Sequence, residues 1–229
     1  MALGYVSSAE GSAWSTSGTP GAYTSVLSGT WGASGGDTAF IFIQVFTSTS
    51  SIAPDSLTIQ NVSTDIVTRI GEFSIGVNPD LYTVHVYCAT RGTGELSIFS
   101  TSSITGLGQT IQGVYSGVID DNSGAGATGS ETKRGDPASS SLTTLYPGSW
   151  MASFVYSNGG SIAAGAGTTE RIKIGTRGLY DSNAVVSQGS NSLEIDPGDA
   201  DHDIGFVKLE IRSADSSTGT DPQNIITFI

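Results

Sequence analysis

Ala39-Phe-Ile-Phe-Ile-Gln-Val-Phe-Thr47 is a strand-length run of β-branched and aromatic residues without helical periodicity, and it decides how the rest of the chain is read. Residues of this kind suit a pleated surface that is half or wholly buried. Similar runs follow at Leu57 to Val62, Asp65 to Ile75, Leu81 to Thr90 and Glu95 to Ser100, with turn formers such as Ser51-Ile-Ala-Pro-Asp55 and Val77-Asn-Pro-Asp80 between them. The pattern continues at Thr110 to Ile119, Leu142 to Tyr146, Trp150 to Tyr156 and Thr169 to Ile174, then at Ala184 to Ser187, Ser192 to Ile195, Ile204 to Ser213 and Asn224 to Ile229. About a dozen short strands with turn signals at near-regular spacing predict an all-β fold, an antiparallel β-sandwich of jelly-roll type. Gly113 or Gly117 is expected to bulge its strand. No repeat of the solenoid or propeller kind is visible.

Within 229 residues the expected organisation is one main domain with extended ends. Residues 1–37 are rich in Gly, Ser and Thr but carry spaced aromatics at Tyr5, Trp14, Tyr23 and Trp31, so they read as an arm or as the opening strands of the sandwich. Residues 38–213 form the sandwich, and 214–229 a linker ending in a terminal strand. Within the sandwich, Asp120 to Ser141 is predicted to be the longest structureless stretch. The apolar end, with Ile226, Phe228 and Ile229, is expected to pair along a sheet edge of its own domain or of a neighbouring subunit.

Composition excludes several functions. The net charge is −12 and no Lys or Arg precedes Arg69, so the basic footprint needed to displace counterions from nucleic-acid phosphates is missing. The same charge would repel an anionic membrane, and no apolar run has the length of a membrane span. Cys88 is the only cysteine, which rules out an intrachain disulfide and leaves a buried thiol acting as a small hydrophobe. The start, Met1-Ala2-Leu3-Gly4-Tyr5, lacks a basic region followed by an apolar one, so synthesis in the cytoplasm without a signal peptide is expected.

Side chains able to do chemistry are sparse. The two histidines, His85 and His202, lie far apart, and no nucleophile elbow, metal-binding histidine pair or phosphate loop accompanies them. Glu95, Glu170 and Glu210 read as exposed strand positions, and the chain reads as a non-enzyme without a resident cofactor. The densest acidic stretch runs from Glu194 to Asp203. Its Asp196, Asp199, Asp201 and Asp203 surround a glycine turn and could aim oxygens at a structural calcium ion, although the Glu that closes an EF-hand loop is missing. The competing reading is a solvated acidic turn. Arg134-Gly135-Asp136 spells an integrin-binding tripeptide that can equally solvate a turn before Pro137. Trp31 and Trp150 are the candidates for stacking on a sugar, against core or interface packing. Tyr5, Trp14, Tyr23, Ile226, Phe228 and Ile229 are the candidates for assembly contacts.

Five stretches carry a likeness to a known module: Ala39-Phe-Ile-Phe-Ile43, Asn78-Pro-Asp-Leu-Tyr-Thr-Val-His-Val86, Val114-Tyr-Ser-Gly-Val-Ile-Asp120, Gly165-Ala-Gly-Thr-Thr-Glu-Arg171 and Ile204-Gly-Phe-Val-Lys-Leu-Glu-Ile-Arg212. In this order they resemble a jelly-roll module common among predicted tailed-phage virion proteins and related bacterial surface proteins. The resemblance covers most of residues 38 to 213. It implies a virion structural protein, a displayed sandwich acting as capsid decoration, cement or appendage. Its partners would be other virion proteins and copies of itself in a homo-oligomer, with a trimer the expected count. The alternative is a carbohydrate-binding module, in a host-recognition tail fibre or a bacterial surface protein, that binds a cell-surface glycan. The aromatic N-terminal segment and the strand Asn224 to Ile229 lie outside the module.

Overall fold

A computed structural model describes residues 2–11, 14–17, 23–30, 37–46, 57–61, 66–77, 80–90, 93–100, 105–121, 123–198 and 200–215. Up to Ser116 the strands are β1 (Gly4–Glu10), β2 (Trp14–Ser17), β3 (Tyr23–Thr30), β4 (Thr38–Phe46), β5 (Leu57–Asn61), β6 (Ile66–Val77), β7 (Asp80–Thr90), β8 (Thr93–Ser100) and β9 (Thr105–Ser116). Beyond Gly124 they are β10 (Ala125–Arg134), β11 (Ala138–Thr144), β12 (Trp150–Ser157), β13 (Ala163–Ala164), β14 (Thr169–Ile174), β15 (Arg177–Asp181), β16 (Gly189–Asp196) and β17 (Asp203–Ile211). The described chain is thus all-β, and its ladders are antiparallel.

The ladders divide these strands into two sets that exchange no partner. In the first set, sheet I has the order β1-β9-β4-β7-β6, with β2 also on β9, and sheet III has the order β3-β8-β5. In the second set, sheet II has the order β10-β17-β12-β15-β14 and sheet IV has the order β11-β16-β13. Omitting β2 and counting each set from its own first strand, both sets read 1-8-3-6-5 for the large sheet and 2-7-4 for the small one. The division falls between Ser116 and Ala125, inside the span 38–213 that the sequence suggested as one sandwich.

Sheets I and II pack face to face. Phe40, Phe42, Val84, Val86, Cys88, Ile111 and Tyr115 of sheet I share one buried cluster with Trp150, Ala152, Phe154, Leu179, Val207, Leu209 and Ile211 of sheet II. Because successive strand residues point to opposite faces, Ala39, Ile41, Ile43 and Val45 point away from sheet II, yet each is fully buried. Sheet III lies on that side, touching β1, β6 and β9. On the far side of sheet II, Val155, Tyr180, Ile204 and Phe206 pack with Ala138, Ile162 and Ile195 from around sheet IV. Both large sheets therefore have two covered faces, which explains why β4, β12 and β17 are buried along their length rather than at alternate positions.

The stretch expected to be structureless is instead largely strand: β10, at the edge of sheet II, and the start of β11, at the edge of sheet IV. Its strands escape detection because Ala125–Arg134 lies at a sheet edge and contains no large apolar residue. Ala138–Thr144 alternates strictly between buried and exposed positions, but fills its inner ones with Ala138, Ser140, Leu142 and Thr144. No bulge occurs at Gly113, where β4 and β9 stay in register. A Cβ there would come within 2.5 Å of the Leu179 side chain, so the glycine permits the close approach of sheets I and II. Residues 4–10, the start of the N-terminal segment, pair with β9 as β1.

Candidate functional site

One end of the second set gathers two features that lie far apart in sequence. The Arg134-Gly135-Asp136 tripeptide forms the tip between β10 and β11, and the acidic turn after β16 meets it. Arg134 Nη2 donates to the Asp201 carbonyl oxygen at 2.8 Å and lies 3.7 Å from the Asp201 carboxylate. The β12–β13 loop closes the group: Asp203 N donates to Asn158 Oδ1 at 3.1 Å, and a Cβ on Gly159 would come within 2.6 Å of the His202 ring. Gly135 has a φ of 143°, a conformation that L side chains rarely adopt. The backbone of the tip therefore requires a glycine there, while its arginine is turned back onto the protein.

The same geometry bears on the calcium candidates. Asp196 Oδ1 accepts the Gly198 amide at 2.7 Å, closing its own turn. Asp201 is the partner of Arg134, and Asp203 follows the turn at the start of β17. Asp199 lies outside the described residues. Among the described residues no group of three or more His, Cys, Asp or Glu side chains is placed to hold a metal ion.

Trp150 is not available to stack on a sugar. It is 7% exposed, lies in the cluster between sheets I and II, and meets the Tyr115 ring edge-on at 6.2 Å. Its strand is covered on both faces, so the ring serves packing between the sheets. Trp31, Ile226, Phe228 and Ile229 lie outside the described residues. The backbones of Trp14 and Tyr23 sit in β2 and β3, paired with β9 and β8. Tyr5 packs on the central cluster, meets the Tyr115 ring of its own set at 5.9 Å and lies under Arg171 of the other set, so within this chain it joins the two sets of strands.

Around Tyr5 a polar latch crosses between the sets. The buried Asp181 carboxylate accepts Tyr115 Oη at 3.0 Å, Arg171 Nε at 2.7 Å and, through its other oxygen, Asn183 N at 2.9 Å. Arg171 also donates to Asn183 Oδ1 at 2.6 Å and stacks over the Tyr5 ring at 4.2 Å, while its carbonyl accepts Ser8 Oγ at 2.9 Å. A buried carboxylate is tolerated only when its oxygens are this well satisfied. Burial, then the Asp181 charge and hydrogen bond, hold the Tyr115 hydroxyl well above its ordinary pKa, so it stays a donor. At the opposite end of the strands, Arg177 donates to Gln109, Gln109 donates to Glu10, and the Tyr82 and Tyr156 hydroxyls meet at 2.7 Å.

Glu210, expected on the surface, is fully buried. Its carboxylate accepts the amides of Ala127 at 2.8 Å, Leu145 at 3.0 Å and Tyr146 at 2.9 Å, tying β10 and the β11–β12 connection to β17. Lys208 is likewise buried, donating to Glu131 at 2.6 Å and to the Ser141 carbonyl at 2.5 Å. Burial raises the Glu131 carboxyl, but hydrogen bonds from Lys133, Lys208 and Ser140 outweigh it and bring the group down to about 2. Neither charge stood out in the sequence, because Glu and Lys in a strand ordinarily face solvent. The one signal was position: Lys208 and Glu210 sit inside the apolar run that became β17.

His85 and Cys88 are both fully buried. His85 is held down to about 4, first by desolvation and then by Arg69, which pairs with Glu72 at 2.8 Å and leaves Glu72 3.7 Å from His85 Nδ1. Desolvation, with a smaller effect of Asp121, pushes the Cys88 thiol up to about 12, far from the thiolate needed for reactivity. No protein-family model, no curated protein and no solved structure matches this chain.

Proposed function

We propose that this protein is a non-enzymatic structural component of a virion, a stacked pair of β-sandwiches displayed as decoration, cement or appendage of a tailed phage. One observation carries the reading: the described side chains best suited to chemistry are used as struts. Asp181, Arg171, Glu210, Glu131 and Lys208 each fasten one strand or sheet to another. His85 and Cys88 are held neutral in buried positions. A scaffold protein benefits from such cross-ties, and its low-charge, acidic exterior resists non-specific association. The resemblance over residues 38 to 213 supplies the class of particle.

The test is mass spectrometry and gold-antibody labelling of virions purified from the source host. The expected result is the intact chain at a fixed copy number on the particle surface. Its absence from particles, with the chain abundant in the same cells, would overturn the reading. Deleting residues 224–229 tests the assembly contact, because residues 1–30 include β1, β2 and β3 and their loss would disrupt the sheets themselves.

A further inference from the structure

We infer that the chain is one sandwich present twice, the two copies docked through the facing surfaces of sheets I and II about a pseudo-twofold axis. The inference does not depend on the virion reading. Its first support is residue-level equivalence. Phe42 on β4 pairs with Ile111 of β9 and Val86 of β7, and Phe154 on β12 pairs with Val207 of β17 and Leu179 of β15. Aligned on this pair, Tyr87 corresponds to Tyr180, Tyr115 to Ile211 and Gly113 to Leu209.

The irregularities recur at corresponding places. β1 slips one residue against β9 between Tyr5, opposite Tyr115, and Ser8, opposite Gly113. β10 slips against β17 between Ala125, opposite Ile211, and Thr128, opposite Leu209. β6 slips against β7 between Arg69 and Gly71, opposite Tyr87 and Val86. β14 slips against β15 between Glu170 and Ile172, opposite Tyr180 and Leu179. A bulge is a local feature that a shared strand order does not impose. Two bulges at matching positions in both sets are what duplication of one ancestral unit leaves behind.

At the sheet edges the contacts between the sets are reciprocal: β1 touches β14 and β10 touches β6, the first strand of each set on the fifth of the other, while β9 also touches β15 and β17 also touches β6. The middle strands β4 and β12 meet through Phe42 and Phe154, stacked with ring centroids 6.1 Å apart. Sheet I thus lies over sheet II with its order reversed, as a twofold axis between two equivalent strands demands. The edges obey the same exchange. A hydroxyl from the first strand of one set, Ser8, donates to the Arg171 carbonyl on the fifth strand of the other at 2.9 Å. In return, Thr132 of β10 donates to the Gly76 carbonyl on β6 at 2.8 Å.

A twofold axis through Phe42 and Phe154 predicts an outcome that an ordinary domain contact does not. In the full chain, Phe42→Leu and Phe154→Leu, which keep the core apolar, test it by urea unfolding. Equal losses, matching within a factor of about two in the unfolding constant, and a double variant losing less than their sum are expected. Clearly unequal or strictly additive losses count against a twofold axis through this pair.

Discussion

The two sets of strands share a plan but fill it differently, and positions that correspond by ladder register show how. Asp181, with its tyrosine and arginine partners, stands where the first set has Cys88; Lys208 stands where it has Gln112, and Glu210 where it has Val114. The second set therefore carries buried charges, each fixed by several hydrogen bonds. In the first set the corresponding region holds His85, Thr83 and Thr110, whose side-chain polar atoms are buried without hydrogen-bond partners. The strand order constrains where apolar faces lie, not how an interior polar position is satisfied. A buried charge survives only where neighbouring loops and strands supply its partners.

The largest expected effect comes from removing a charge that its partners require. Asp181→Ala leaves the Arg171 guanidinium and the Tyr115 hydroxyl without their acceptor and should destabilise the protein by about 3–5 kcal/mol in urea unfolding. Cys88→Ala, at the corresponding position, removes only a small apolar group and should lose roughly 1–2 kcal/mol. Comparable losses would mean that the latch contributes nothing beyond packing. Glu210→Leu should follow at about 2–4 kcal/mol, since it orphans the amides of Ala127, Leu145 and Tyr146. Val114→Glu should also destabilise, because it places a carboxylate at a position that is 1% exposed and filled by an apolar side chain.

Much of this plan was legible in the sequence, and the exceptions have a common cause. The strands that became β4, β7, β12 and β17 announced themselves because burial on both faces demands continuous apolar runs. β10 and β11 did not, since an edge strand with one face in solvent can be built from Gly, Ala, Ser and Thr. Duplication was invisible because corresponding residues differ: Thr110 matches Phe206, and His85 matches Gly178. What the two sets share is register and bulges, which are properties of pairing between distant strands. Glu210 and Lys208 were misread or passed over for the same reason, as their partners arrive from other parts of the chain.

Acid should separate the two sets. His85 sits at about 4 against an ordinary 6.5, so the unfolded chain takes up its proton first as pH falls. The stability from keeping it neutral is complete above 6.5 and is lost between 6.5 and about 4. Glu131 sits at about 2 against an ordinary 4.5, so its contribution is complete above 4.5 and is lost between 4.5 and about 2. Hydrogen exchange should show β7 losing protection at milder acidity than β10 and β17. Loss of protection in the reverse order would break the comparison, and His85→Phe should remove the upper window alone.

The smallest effects are expected at the tip of β10 and β11, and there they discriminate between two readings of one tripeptide. Arg134 is 61% exposed and its partner Asp201 is 88% exposed, so this ion pair is screened and Arg134→Ala should change stability by less than about 1 kcal/mol. Gly135→Ala should lose about 1 kcal/mol or more, because a φ of 143° penalises any side chain even though an added Cβ would meet only the Pro137 carbonyl oxygen, at an ordinary 3.5 Å. An adhesion signal needs the arginine and aspartate side chains displayed to a receptor, whereas a turn needs the glycine backbone. If Gly135→Ala proves harmless and cell attachment depends on Arg134 and Asp136, the tip is a ligand. If the glycine alone matters, the tripeptide is the way the chain turns from β10 to β11, and its arginine serves to hold the neighbouring acidic turn in place.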